Sequence, residues 1–470
     1  MVEFKSILFD QLTPIAIYKR VRELYKDEII LFFESAINTS DGNFSFIFIG
    51  ARERITHKDG ESYFISSDGK KEHIGSNPFK FLKSYYNKID KNRYKKLSKE
   101  ANVGFVDGFI GYIGYDAVKI FEPRLTKNMQ NLKDELHIPD IELIRPKITI
   151  AFSHKTNKLT VISEIENRSK YFDEIINAIF KPYTPFDLKR SKIDSKKGKF
   201  EFSKEKFFSM VENSKEMIRS GDIFQIVLSN RFTQYAKIDK LSFYRVLRSK
   251  NPSPYMYLLD FDSFSIVGSS PEVMVALKDG HILLRPIAGT RKRGNSIDKD
   301  LELEKDMLSD EKERAEHLML IDLGRNDVGK VAKPGSVKVK DMMRVEKYSH
   351  VMHMVSDVEG VIDEKYDMFD LFAATFTAGT MTGTPKIRAM ELIAQFEGLK
   401  RSYYSGVIGY FGFDGNLDSA IAIRTSYLDD EKIVFQAGAG IVADSKKELE
   451  YLEVQNKLQA LMSSLDDLSE

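Results

Sequence analysis

The chain has 470 residues, 42% of them hydrophobic and 30% charged, and its 71 basic and 70 acidic side chains leave a net charge of +1. That length predicts two domains or one large composite, and the near-neutral charge argues against nucleic acid or an anionic membrane as partner. The absence of cysteine excludes disulfides, thiolate metal sites and a cysteine nucleophile, and with neither an 18-residue apolar run nor a signal-peptide pattern the expected compartment is the cytoplasm.

In chain order, Thr13-Pro14 opens a helical stretch, followed by an apolar run ending in Glu34-Ser35. FSFIFIGA (44–51) predicts a buried strand, a Lys/Tyr-rich segment over about 78–98 predicts helix, and GFVDGFIGYIGYDAV (104–118) predicts glycine-punctuated strands. ITIAFSH and KLTVISEI form an expected hairpin around Lys155-Thr156-Asn157. Residues 181–204 are rich in Lys, Pro and Ser and predict a linker between an N-terminal domain (1–190) and a second domain (200–470).

Beyond the linker, a helix over 205–220 leads into the strand IFQIVLS, and further strands are expected in 264–292, 348–362 and 405–442. ATFTAGTMTGTPKIRAMELIAQF (374–396) predicts a Gly/Thr turn feeding a helix. Helices and strands mix without a βαβ repeat, so the predicted class is α+β with large sheets, not a doubly wound fold.

The stretch EKERAEHLMLIDLGRND (311–327) predicts a helix with Glu313, Glu316 and His317 on one face, ended by Gly324-Arg325-Asn326-Asp327. Glu450 and Glu453 repeat the i, i+3 carboxylate pair near the C-terminus, ahead of Asn456 and Lys457. Two helices each offering a carboxylate pair suit Mg²⁺, which takes one or two protein carboxylates and keeps coordination for water and an anionic substrate. Ordinary solvated glutamates satisfy the same pattern.

Other residues are equally two-sided. Gly379 to Lys386 lacks the spacing of a phosphate loop and is either an anion-holding turn or a plain helix entry. Gly438-Ala439-Gly440 admits a ligand carboxylate to the backbone amides or close packing alone. Arg424 is a strand-end surface charge or a carboxylate clamp. His353 is a satisfied core histidine or a proton donor near neutral pH. Together they describe a Mg²⁺ pocket with Arg and backbone amides for a substrate bearing carboxylates.

RPIAGTRKRG (285–294), ERAEHLMLIDLGRND (313–327), YSHVMHMVS (348–356), AGTMTGTPKIRAME (378–391), YYSGVIGYFGFDG (403–415), AIAIRT (420–425) and FQAGAGIVADS (435–445) resemble the chorismate-utilising enzymes, above all the anthranilate synthase large-subunit family. GFIGYIGYD (108–116) extends the likeness into the first region. The resemblance implies a large composite fold with extended antiparallel sheets flanked by helices.

It also implies that chorismate and ammonia give anthranilate and pyruvate. Relatives that add water carry a Lys base where this chain has Gln225; ammonia is already a nucleophile, so Gln suffices. The 4-amino-4-deoxychorismate synthases carry a nucleophilic Lys where this chain has Ala288, in Pro286-Ile287-Ala288-Gly289-Thr290. That activity is the rival reading, with a non-catalytic ligand-sensing subunit as a second.

By the same resemblance, Glu316 and Glu453 would hold Mg²⁺, with Glu313 and Glu450 close by. Glu272 would be the general acid, protonated through partial burial, and His353 would assist pyruvate elimination. Arg424, Tyr404, Thr380, Gly289, Thr290 and Gly438 to Gly440 would position the substrate, with Lys386 contributing charge. Glu34-Ser35 (behind Phe33, where relatives usually have Leu) and Pro254-Tyr255-Met256 would bind tryptophan as feedback inhibitor. Thr377 stands where relatives usually have Pro, implying a change in local turn rigidity. A chain without cysteine cannot be its own glutamine amidotransferase, so a separate small subunit is the implied partner.

Overall fold

A computed structural model describes residues 3–35, 44–166, 168–182, 184–348 and 351–470. Ala36, Tyr183, Ser349 and His350, which fall in segments assigned above, lie outside the described residues. The strands that place the site are β1 (Ile30–Glu34), β2 (Phe44–Lys58), β3 (Gly108–Ile113), β4 (Ile141–Ser153), β5 (Gln225–Tyr235), β6 (Tyr255–Asp260), β7 (Ser265–Ser270), β8 (Ile287–Lys292), β9 (Val351–Val361), β10 (Val407–Gly412) and β11 (Lys432–Ile441). The helices are α1 (Lys240–Lys250), α2 (Glu311–Gly329), α3 (Lys386–Glu397) and α4 (Lys447–Asp466).

The fold is α+β, as expected, with an extended antiparallel strand network flanked by helices. β2 runs seven residues past the predicted strand and pairs with β4 along most of its length. β1 lies between β2 and β6 with Glu34 opposite Met256, and β6 pairs on with β7, placing Tyr255 opposite Ser270. β3 pairs with β4 and with β10. Strands before and after the 181–204 segment therefore share ladders, and each of the two large hydrophobic clusters draws residues from both sides of it. The predicted helix over 78–98 is two helices, Pro78–Asn87 and Lys91–Ala101, each begun by its own Asn77 or Asp90 cap.

α2 starts where Asp310 accepts hydrogen bonds from the amides of Lys312 and Glu313 at 3.0 and 3.2 Å. Its buried residues, among them His317, Leu320, Ile321, Gly324 and Val328, recur at helical spacing and lay one stripe on the sheet. The expected stop at Gly324-Arg325-Asn326-Asp327 does not occur, and the helix continues to Gly329. Gly324 serves packing there: a Cβ on it would stand 3.0 Å from Leu284 Cδ2. Among the described residues, no helix is long and apolar enough to cross a membrane.

Candidate active site

β5 and β11 run antiparallel with Val227 opposite Gly440 and Ser229 opposite Gly438, and the two glycines stand against Tyr404 and Gln225. The glycines make room. A Cβ on Gly438 would lie 2.9 Å from the Tyr404 hydroxyl, and one on Gly440 would lie 2.9 Å from Gln225 Nε2. Ala439 between them is fully buried in a hydrophobic cluster, so its methyl points to the core, to the opposite face from Gly438 and Gly440.

Glu272 follows β7 and is 7% exposed. Its Oε1 accepts a hydrogen bond from Thr380 Oγ1 at 2.8 Å. Burial raises its carboxyl to about 7, against the smaller opposing pull of the Thr380 hydroxyl and of the Arg424 and Lys457 charges. At neutral pH about half of this carboxyl carries its proton.

Arg424 sits in the break between two short strands at φ 48°, not inside a strand. Among the described residues no carboxylate lies within ion-pair distance of its guanidinium, and burial lowers its pKa. A buried, unpaired guanidinium is costly unless an anion completes it.

His353 on β9 faces β8, where Thr290 Oγ1 is 3.0 Å and the Gly289 carbonyl 3.3 Å from its Nδ1. Gly289 takes φ 61°, at a bulge between Ala288 and Thr290. Burial, with the Arg424 charge, lowers His353 to about 4. The imidazole is therefore neutral in the resting site, a proton acceptor and not the donor envisaged near neutral pH.

Gln225 opens β5 and donates from Nε2 to Glu316 Oε1 at 2.9 Å, while its Oε1 is buried without a hydrogen-bond partner among the described residues. Glu316 on α2 is raised by burial first and then by the like charge of Glu313, with Glu453 of α4 adding to it. Glu450 is raised by burial, and Glu453 adds to it. The four carboxylates thus gather on facing helices. Arg291 neutralises Glu313 at 3.0 Å and Lys457 neutralises Glu453 at 2.7 Å. Among the described residues no three acidic or histidine side chains close into a metal cage. A donor set of paired oxygens, with repulsion at Glu316 only partly offset by Gln225 and Lys312, fits Mg²⁺, which needs one or two such ligands plus water and substrate oxygens.

Two charges are placed differently from expectation. Lys386, the first residue of α3, puts Nζ on Asp327 Oδ2 at 2.5 Å and on the Thr375 carbonyl at 3.2 Å. Its charge is spent there and does not reach the Arg424 side. Lys457 was not singled out as a site residue, yet its Nζ donates to the Gly438 carbonyl at 2.9 Å and its charge acts on both Glu272 and His353. Its i+4 spacing from Glu453 was the available signal. Arg401 was also missed. Fully buried on Glu397, it donates to the Met381 and Val227 carbonyls at 2.9 and 2.7 Å, fixing the Thr380 turn against β5.

At the other end of β1, Glu34 is buried and accepts from Tyr244 at 2.7 Å and from Arg248 at 2.7 and 2.9 Å. The ladder thus brings the Glu34-Ser35 and Pro254-Tyr255-Met256 stretches together. Tyr255 OH donates to Asp418 at 2.9 Å.

This fold and site are those of a chorismate binding enzyme, the family whose model matches residues 30–463. Anthranilate synthase component 1 of Aquifex aeolicus is 42% identical, covering 98% of this chain and 94% of its own. That of Lactococcus lactis is 39% identical over 98% and 99%. The crystal structure of anthranilate synthase component I from Streptococcus pneumoniae superposes with a TM-score of 0.80 at 35% identity, covering 97% of this chain and 98% of that one. The chain belongs to the anthranilate synthase component 1 family of chorismate binding enzymes.

Proposed function

We propose that the protein converts chorismate and ammonia to anthranilate and pyruvate. The observation that carries this reading is Gln225. Its amide is spent on Glu316, and its buried, unpartnered Oε1 is an acceptor aimed to orient the N–H of ammonia. A glutamine cannot take a proton from water, which disfavours the hydroxylating relatives. Ala288, opposite Met354, offers no nucleophile for the aminodeoxychorismate route.

In this reading Arg424, Tyr404, Thr290 and the amides of Gly438 to Gly440 bind the carboxylates of chorismate. Ammonia bonds to the ring carbon next to the one bearing the carboxylate as protonated Glu272 gives its proton to the ring hydroxyl and the C–O bond breaks; water leaves, and the proton shed by the new ammonium balances the one Glu272 gave up. Neutral His353 then accepts the ring proton as the enolpyruvyl C–O bond breaks, which makes the ring aromatic and releases pyruvate enolate, and protonation of the enolate methylene carbon gives pyruvate. Glu316 and Glu453 would hold Mg²⁺, with Glu313 and Glu450 beside them, and a divalent cation there would supply positive charge for the ring carboxylate.

The same proposal takes ammonia from glutamine through a separate amidotransferase subunit. It takes tryptophan as an inhibitor bound between Glu34-Ser35 and Pro254-Tyr255-Met256, and the cytoplasm as the compartment. Support comes from the β1–β6 ladder that joins those stretches and from the component 1 names of the relatives.

The deciding experiment incubates the purified chain with chorismate, MgCl₂ and ammonium chloride and identifies products by mass. Anthranilate and pyruvate in equal amounts are expected. Isochorismate or aminodeoxychorismate in their place would overturn the reading of positions 225 and 288.

A further inference from the structure

We propose that Asp116 is a positioning residue for the substrate: its carboxyl and the neighbouring Tyr115 amide hold Ser402 in a left-handed conformation, and that conformation sets the Tyr404 hydroxyl beside Gly438. The proposal rests on the reading of Tyr404 as a residue that binds chorismate. The stretch 108–116 carries part of the family likeness, yet the reaction proposed above uses none of its residues. Beyond β3 it turns through Gly114-Tyr115-Asp116, and Asp116 is 1% exposed. Its Oδ2 accepts from the Ser402 amide at 2.7 Å, and the Tyr115 amide donates to the Ser402 carbonyl at 2.8 Å. Both backbone polar groups of Ser402 are therefore taken by two consecutive residues of the first region.

Ser402 needs that grip. It takes φ 52°, and Ser405 takes φ 61°. A left-handed backbone at a residue other than glycine is costly and persists only where its surroundings over-determine it. Between the two serines lie Tyr403 and Tyr404, both buried. The Tyr404 amide donates to the Arg401 carbonyl at 3.0 Å and the Ser405 amide to the Ala422 carbonyl at 3.1 Å, so the backbone of this turn sets the direction in which the Tyr404 side chain leaves it. Two glycines let the segments touch: a Cβ on Gly114 would lie 2.7 Å from the Ser402 carbonyl oxygen, and one on Gly406 would lie 2.9 Å from Gly114 Cα. The Arg401 guanidinium stands 5.0 Å from the Tyr115 ring and 5.6 Å from the Tyr404 ring, so one charge braces both.

What Asp116 supplies is an acceptor, not a charge. Burial, with the Asp140 charge adding to it, pushes its carboxyl up to about 7 against the pull of Lys119, the Ser402 amide and Lys400. Either protonation state keeps an oxygen for the Ser402 amide. The other oxygen, Oδ1, is buried without a hydrogen-bond partner among the described residues. Asparagine therefore fits the place: its carbonyl oxygen keeps Ser402, and its amide replaces the unpartnered oxygen in the field of Asp140. Alanine leaves the buried Ser402 amide without an acceptor, so the turn relaxes towards ordinary backbone and withdraws the Tyr404 hydroxyl.

The test reads KM for chorismate, which does not depend on the fraction of chain that is folded. Asp116→Ala should raise it about tenfold, with kcat per folded chain changed by less than about twofold, the pattern of lost substrate binding. Asp116→Asn should keep the wild-type KM. Asp116→Ala/Ser402→Gly should return KM to within about twofold of wild type, because glycine takes the left-handed backbone unaided. That pair also supplies a folded chain should Asp116→Ala alone unfold. Tyr404→Phe should raise KM at least as far as Asp116→Ala, and Asp116→Ala/Tyr404→Phe should go no further than Tyr404→Phe, since the two losses are one loss. An unchanged KM in Asp116→Ala, a raised KM in Asp116→Asn, no rescue by Ser402→Gly, or losses that multiply in Asp116→Ala/Tyr404→Phe would overturn the role of Asp116. An unchanged KM in Tyr404→Phe would instead overturn the reading of Tyr404 on which that role rests.

Discussion

The Thr380 hydroxyl donates to Glu272 Oε1 across 2.8 Å, joining a turn and a strand end 108 positions apart. The bond favours the ionised carboxyl and so opposes the burial that keeps Glu272 protonated. Thr380→Val removes the donor and should raise the Glu272 pKa further. Activity lost as Glu272 ionises above about 7 in the free enzyme should then persist to higher pH, by roughly one pH unit. A profile of kcat/KM against pH, corrected for free ammonia, reads this directly; a limb moving to lower pH would reverse the assigned sign.

The same carboxyl costs stability. Its folded value of about 7 lies above the ordinary glutamate value of 4.5, so between these values the native state binds the extra proton and stability falls as pH rises. Glu272→Gln should therefore be the more stable protein at pH 8, by about 3 kcal/mol, with no advantage at pH 4. Urea unfolding of both proteins at the two pH values checks it, and the variant should lack anthranilate synthesis.

Glu316 is crowded by Glu313 and Glu453 and receives only the Gln225 amide and the field of Lys312 in return. Glu316→Gln should leave the metal-free fold at least as stable as wild type. The stabilisation that MgCl₂ gives by binding the native state should vanish, and kcat/KM should fall at least about 100-fold. Thermal unfolding with and without MgCl₂ distinguishes this from simple misfolding, since an equal metal-induced shift in both proteins would remove Glu316 from the metal site.

Glu34 is committed to Arg248 and Tyr244, so its loss should unfold more than it deregulates: Glu34→Ala strands a partly buried guanidinium at a cost of about 3 kcal/mol. Ser35, just after β1, is the position that tests the inhibitor site more directly. Ser35→Ala should weaken inhibition by tryptophan with uninhibited turnover unchanged. Inhibition at wild-type strength would take Ser35 out of that site.

Much of this site is written in local spacing. The i, i+3 carboxylate pairs of α2 and α4 are legible because helical neighbours are fixed by geometry alone. The Glu34 and Met256 stretches were legible only as motifs; that they face each other is a matter of strand register. Gly324 misleads because glycine marks a helix end as readily as a crowded crossing, and only the structure shows Leu284 and Val358 against it. Lys386 misleads because its partner Asp327 lies 59 positions away. His353 reads as a switch near neutral pH until its burial is known, and burial is a property of the whole fold.

The ladder that sets Glu34 opposite Met256 also bears on inheritance. Genes of related enzymes can be recombined between 184 and 194, ahead of the short strand Gly198–Phe200, without breaking a strand, but the resulting chimera would join β1 of one parent to β6 of another. Glu34 would then have to find Arg248 and Tyr244 in a helix shaped by a different history. Successful crossovers should be rare there, and the two stretches should pass between lineages as one unit.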